Sequence, residues 1–357
     1  MNKPFYCIIL FCCFYHISYC SFASETVRVR ILEKYHPSKV KVSNSNSPEK
    51  SFIINETSQF PVTLNSSDKY LIQVPEQNVE RFYRGKLLFG WDKDELLIIN
   101  ELGLEDYVAS VVLSEMGWTN VEAMRAQAVL ARTWAVKNRR PDMPYDFNDL
   151  TNSQVYKGLF PYSESTIRIL TDNQGQILTY EGNPIDVLYH AACSDRVFSA
   201  YEIWGMKPVP YLKSVKLPDI LTASRKDTIW ERIISKASID NLFRDKINSS
   251  HPVSYKKTFN NGKLGVYVND QWVGIDDFRL TINRSLGWNQ IRSNDFNMRI
   301  LGDKIFFQGK GFGHMVGMGQ QEAVTLGRNG YDYYKILSFF YPGTEIIKEY
   351  DIKDSAP

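Results

Sequence analysis

Cysteine is scarce in this chain and poorly placed for structural work. Of five in 357 residues, Cys7, Cys12, Cys13 and Cys20 crowd the first twenty positions, leaving Cys193 alone in the body. A lone thiol excludes an internal disulfide framework and the cysteine pairs of a structural zinc site. An excess of one charge is missing too. The 42 Lys and Arg face 40 Asp and Glu, a net charge of +2, which gives no electrostatic case for nucleic acid as a partner. Beyond the N-terminus no apolar run reaches the roughly 18–20 residues that span a bilayer, so the body is expected to be soluble and without a transmembrane segment. No internal repeat is visible. What is present, 43% hydrophobic, 13% aromatic and 23% charged residues, excludes a disordered or fibrous chain. The length suits one large domain with its own buried core plus an extension.

The N-terminus carries a transport label. Lys3 supplies a positive start, Phe5 to Tyr15 is nearly continuous apolar sequence, and Ser21-Phe22-Ala23 places small residues where a signal peptidase reads. Residues 1–23 are therefore expected to be a cleaved signal peptide, and the protein to be exported to the periplasm or cell envelope. An uncleaved anchor would need a longer apolar run. A lipid-modified Cys20 is the other alternative, with Tyr19 before it a poor fit.

Strand signals dominate residues 24–97, beginning with the Val/Ile–Arg alternation of Thr26 to Leu32. Residues 36–60, rich in Ser, Asn and Pro, read as loop. Leu104 to Met116 is the first clear helix: Leu104, Val108, Val111, Val112 and Glu115 share one face, acids occupy its first turn, and Gly117 ends it. Thr119-Asn-Val-Glu122 reads as a capping box opening a second helix through Lys137, with a small-sided stripe of Met124, Ala128, Ala131 and Ala135. Further on, strands are expected at Gln176–Tyr180, Ile185–His190, Lys263–Gly274, Phe278–Ile282 and Met298–Phe307. Helices are expected around Ile229–Ile234, over Gln320–Leu326 and over Tyr331–Tyr341. The fold class is α+β, antiparallel strands flanked by helices that form a cleft.

Glu115 is the sharpest chemical feature. It lies on the apolar stripe of a valine-lined helix, where burial would disfavour its charge and raise its pKa as a general acid requires. The alternative is a last-turn glutamate that escapes to solvent at Gly117. His190, Cys193 and His314 could form a metal site or a Cys–His nucleophile pair, although each histidine is more commonly an orienting hydrogen-bonder. The glycine-dense Gly309–Gly319 segment fails both phosphate-loop templates, since Val316 stands where a glycine is needed and no Gly-Lys-Ser/Thr follows. Its glycines instead would let backbone and His314 approach an extended ligand closely.

Leu104-Glu-Asp-Tyr-Val-Ala-Ser-Val-Val-Leu-Ser-Glu-Met116, followed by Glu122 to Ala135, Ser153-Gln-Val-Tyr-Lys-Gly158, Gly175 to Gly182, Tyr189-His-Ala-Ala-Cys193, Trp204, Val209 to Ser214, Phe278-Arg279, Gly311 to Gln320 and Tyr341 to Glu345, resembles in order the stage II sporulation protein D (SpoIID)/LytB family. The resemblance runs over residues 98–347, leaving 348–357 as a C-terminal tail. It implies an exported protein acting on peptidoglycan glycan strands. SpoIID-like members are lytic transglycosylases of peptide-stripped strands, and LytB-like members are enhancers of a cell-wall amidase, a possible partner. The Ser-Glu-Met glutamate of the family corresponds to Glu115, with Gln127, Arg132, Gln154, Tyr156, Tyr189, His190, His314 and Gln320 as expected groove residues. Some members bind zinc through a cysteine pair before Gln-Val-Tyr; Ser153 replaces the nearer one here, so no metal and no cofactor are expected. The family's His-Gly-x-Gly-Met-Ser-Gln-Tyr-Gly becomes His314-Met-Val-Gly-Met-Gly-Gln-Gln-Glu322, and its usual Gly-Gly after the Tyr-His strand becomes Ser194-Asp195.

Overall fold

The computed structural model describes residues 26–65, 68–160, 167, 172–222, 228–246, 254–269 and 271–348; the signal segment and nearly all of the C-terminal tail lie outside them. Two sheets open the chain. The first has the order Val62–Leu64, Lys86–Asp92, Glu95–Gly103, Thr26–Arg30, Phe147–Asn148, and the second the order Ser47–Asn55, Lys39–Asn44, Tyr70–Val74, Val79–Tyr83. The segment read as loop thus contains a hairpin, Lys39–Asn44 against Ser47–Asn55. Its Val40, Val42 and Ile54 alternate into the core, while Asn44 at the strand's end and Asn46 in the turn bond Asp68. Composition described the turn and the exposed positions, and missed the buried ones.

The strand Glu95–Gly103 runs directly into helix α1 (Leu104–Met116), for which Gly103 is the N-cap and Gly117, at φ 64°, the C-cap. Helix α2 (Val121–Asn138) follows. Its cap is Asn120, whose side chain accepts from the Ala123 N–H at 3.1 Å; the capping box expected from Thr119 and Glu122 does not form. The two faces of α2 serve two cores. Met124, Ala128, Ala131 and Ala135 pack with α1 and the N-terminal strands, and Ala123, Ala126, Val129 and Leu130 pack with the remainder of the chain. A helix buried all round needs small side chains on both faces to let neighbours close in, which is what its alanines provide.

The second core collects three short sheets: Asn183–Pro184, Gln176–Tyr180, Glu345–Lys348; Ile229–Ser235, Lys304–Lys310, Phe296–Leu301; and Tyr255–Asn260, Lys263–Val268, Gln271–Gly274. Nearly every ladder is antiparallel, as an α+β fold requires. Two elements differ from the sequence expectation. Ile229–Ser235 is a strand, not a helix; buried Trp230 and Ile234 are four apart, a spacing common to both periods, and exposed Ile229, Glu231 and Ile233 settle it as two-fold. Conversely, Ile275–Leu286 is a helix over the expected strand Phe278–Ile282. Phe278, Leu280 and Ile282 alternate by chance, whereas the buried set Ile275, Phe278, Arg279, Ile282 and Asn283 follows the 3.6-residue turn. The expected strand Ile185–His190 shrinks to Tyr189–His190, paired in parallel with Met318–Gly319.

Candidate active site

The extended segment Gln154–Gly158 is stitched along α1. Tyr107 donates to Gln154 Oε1 (3.2 Å), Ser110 to the Gly158 carbonyl (2.5 Å), and Ser114 Oγ accepts from the Lys157 N–H (3.2 Å). These three side chains are spaced three and four residues apart, one face of the helix. Gly158 closes the segment at φ +78°, and a Cβ there would come within 2.2 Å of the Phe82 carbonyl oxygen. No other residue fits.

Glu115 stands at the end of that polar face, half-buried. Its Oε1 accepts the Val155 N–H at 3.1 Å and the Tyr189 hydroxyl at 3.4 Å. Tyr189 is reached in turn by Gln154 Nε2 (3.3 Å), so Tyr107, Gln154 and Tyr189 donate successively toward one carboxyl oxygen. Burial pushes the Glu115 pKa up, and the two hydrogen bonds and the positive charge of Lys157 only partly oppose it. With both donors on Oε1, Oε2 is the oxygen for a proton to occupy. The arrangement presents a carboxylic acid held in one orientation, with an elevated pKa, as proton transfer at near-neutral pH requires.

The parallel pair Tyr189–His190 and Met318–Gly319 brings the glycine loop beside the strand that supplies Tyr189. His314 Nδ1 accepts the Val316 N–H (3.1 Å) while Nε2 lies 2.9 Å from the Tyr189 carbonyl oxygen. The first contact makes Nδ1 an acceptor, so Nε2 carries the hydrogen and donates to Tyr189. Burial lowers its pKa to about 4, and the ring is neutral over the physiological range. His190 Nδ1 donates to the Val316 carbonyl at 3.1 Å, and the two imidazoles lie 5.4 Å apart. Both histidines thus hold the loop to the Tyr189 strand, the orienting alternative of the sequence reading.

The remaining expected groove residues divide. Gln154 and Tyr189 meet at Glu115. Gln127, fully buried on α2, accepts from Gln320 Nε2 at 3.5 Å, joining α2 to the helix Gln320–Arg328. Arg132 and Tyr156 are not groove residues in this structure but core residues. The Arg132 guanidinium is fully buried, pairs with both Glu105 oxygens (2.7 and 2.6 Å) and donates to the Gln176 carbonyl. The Tyr156 hydroxyl bonds Asn100 Oδ1 at 2.6 Å beneath the N-terminal sheet. A polar residue type on a mostly apolar helix or strand does not disclose whether its partner is a ligand or another buried side chain.

Cys193 is fully buried as well, its N–H donating to Glu322 Oε2 at 3.1 Å. A Cβ on Gly319 would come within 2.4 Å of its sulfur. A thiol so enclosed cannot serve as an accessible nucleophile. Among the described residues no three His, Cys, Asp or Glu side chains are grouped so as to hold a metal ion. Four contributors went unseen in the sequence: the Val155 N–H, which no side chain signals; Ser110 and Ser114, legible only as a 3–4 polar spacing on α1; and Glu322, a fully buried acid.

An α+β scaffold that orients a half-buried carboxylic acid by a backbone N–H and a tyrosine hydroxyl describes the class of protein. A family model described as "Stage II sporulation protein" (SpoIID) matches residues 92–180, which contain Glu115. The chain is 30% identical over 269 residues to Stage II sporulation protein D of Bacillus subtilis, covering 70% of this chain and 75% of that one. It is 32% identical over 278 residues to an uncharacterized protein of Brachyspira hyodysenteriae (74% and 72%). It is 26% identical over 285 residues to the Amidase enhancer of B. subtilis (66% and 39%). The chain belongs to the SpoIID/LytB family. No helix among its described residues is long and apolar enough to cross a membrane.

Proposed function

We propose that this protein is an exported cell-wall enzyme, a lytic transglycosylase that cleaves the MurNAc–GlcNAc bond of peptide-stripped glycan strands. The observation that carries the reading is the Glu115 carboxyl, with its raised pKa and its Oε1 held by Val155 and Tyr189. Glu115 donates its proton to the glycosidic oxygen as the MurNAc C1–O bond breaks. The C6 hydroxyl of the same sugar then attacks C1 and returns its proton to the Glu115 carboxylate. Atoms balance without water, the product ends in 1,6-anhydroMurNAc, and the acid is regenerated. Internal attack makes a second carboxylate unnecessary, unlike the two-carboxylate glycosidase plan. The remaining parts of the reading are a signal peptide over 1–23, a strand-rich region to 97 and a catalytic domain over 98–347.

The test is mass analysis of products from peptide-stripped strands. Glu115→Gln is expected to abolish anhydro ends while the folded protein still binds strands. Ordinary reducing ends would make the enzyme a hydrolase, and full activity in the variant would remove Glu115 from the chemistry. A second reading, a glycan-binding enhancer of a cell-wall amidase, is supported by the similarity to the Amidase enhancer. It predicts no anhydro ends from the protein alone but faster release of stem peptides by an added amidase, with Glu115→Gln as effective as the parent.

A further inference from the structure

The hairpin Lys263–Val268 with Gln271–Gly274, the start of the helix Ile275–Leu286 and the end of the short helix Ala200–Trp204 enclose an open cavity of about 490 Å³. That volume falls in the range of small-ligand sites. Its lining includes the indoles of Trp204 and Trp272 and the polar groups of Lys263, Asp276, Asp277 and Thr281. None of these residues takes part in the chemistry assigned to Glu115.

Both indoles are held in place. Trp272 packs against bare backbone, since a Cβ on Gly265 would come within 2.4 Å of its ring, and Tyr267 meets it edge-on at 5.1 Å. Trp204, 36% exposed, donates its indole N–H to Asp276 Oδ2 at 3.1 Å. Asp276 itself is taken up by Arg279 (2.7 Å) and Asn294 (3.0 Å), so its charge is already balanced. That leaves one exposed carboxylate, Asp277, and one ammonium, Lys263, in the lining. The cavity therefore offers aromatic faces, donors and acceptors without a net charge. Such a surface suits a neutral ring carrying hydroxyl and acetamido groups better than a peptide stem bearing free carboxylates and amines.

A run of side-chain contacts ties the cavity wall to the acid. The Trp204 ring lies 5.3 Å from His314, His314 donates to the Tyr189 carbonyl, and the Tyr189 hydroxyl bonds Glu115. We propose that the Trp204–Trp272 cavity is a second subsite for pyranose rings of the glycan strand whose bond Glu115 attacks. The inference rests on the glycan reading of the Glu115 site. A strand rather than a single disaccharide is then the ligand, and the cavity sets how far from Glu115 it is gripped.

Binding, measured apart from cleavage, tests this. Titration calorimetry of the Glu115→Gln protein with peptide-stripped strands supplies the reference affinity. Adding Trp272→Ala is expected to weaken it about tenfold, and Thr281→Val about threefold. Should Trp272→Ala fail to fold, Thr281→Val with Asp277→Asn decides. Unchanged affinity in the folded variants would overturn the subsite and leave the Glu115 reading standing. A Glu115→Gln protein that binds no stripped strand would overturn both. A loss confined to peptide-bearing strands would assign the cavity to the stem and overturn the sugar assignment.

Discussion

Acidification from pH 7 to 4.5 asks the folded protein to keep His314 neutral while the unfolded chain protonates it. In the fold, Nδ1 must accept the Val316 N–H and the ring is enclosed, so the pKa falls from 6.5 to about 4, against the opposing pull of Asp276. A histidine depressed in this way contributes full stability above pH 6.5. It loses that contribution as pH falls toward 4, because across that window the unfolded state binds more protons. At about 1.4 kcal/mol per pH unit the whole span is worth roughly 3 kcal/mol, most of which is lost by pH 4.5. Glu95, held low by its bonds to His36 and Arg30, adds a loss only at the acid edge of the window, and other carboxylates act below it or oppositely. Asp276 and Asp146 are held below the usual carboxylate range by Arg279 and Arg28, and their contributions fade only at still lower pH. Glu115, raised by burial, gains stability as it protonates. The contrast with His314→Gln removes these shared terms, since a glutamine amide can also accept one bond and donate one. Urea unfolding followed by tryptophan fluorescence at both pH values is expected to show the parent losing about 2–3 kcal/mol more than the variant. Equal losses, or an NMR titration placing His314 near 6.5, would refute the reasoning.

Two further changes probe the same architecture. Tyr189→Phe deletes a donor to the Glu115 carboxylate. Its removal should raise the carboxyl pKa further and shift the alkaline limb of the cleavage pH profile upward; an unmoved limb would show that the hydroxyl does not tune the acid. Arg132→Met strands Glu105 beside a buried, uncharged side chain and should destabilise the fold by about 3 kcal/mol. Strand affinity of the protein that remains folded should be unchanged, and a selective loss of affinity would return Arg132 to the groove.

Helix α1 shows how much of the site was legible in advance. Its apolar stripe, its acidic first turn and the stop at Gly117 are local properties, and the structure reproduces the bounds Leu104–Met116. The cap of α2 slipped by one residue because Thr119 and Asn120 are both competent, and backbone geometry chose Asn120. The strand at Ile229–Ser235 and the helix at Ile275–Leu286 were misread because short apolar runs satisfy both periods. What separates them is the neighbour on each face, and no local window contains it.

Polar residues obey the same division more sharply. Arg132, Gln154, Tyr156 and Tyr189 are similar in kind, yet two are locked into core bonds and two converge on Glu115. Burying any of them demands a partner, and the partner lies tens of residues away: Val155 is 40 residues from Glu115 and Tyr189 is 74. The sequence alone determined the α+β class, the family resemblance and the place of Glu115 at the end of an apolar stripe, since helical periodicity and capping are written within one turn or two. Only the tertiary structure decided that this carboxyl is half-shielded, held at one oxygen and raised in pKa. Desolvation and hydrogen bonding are set by groups that chain folding, not chain order, brings together.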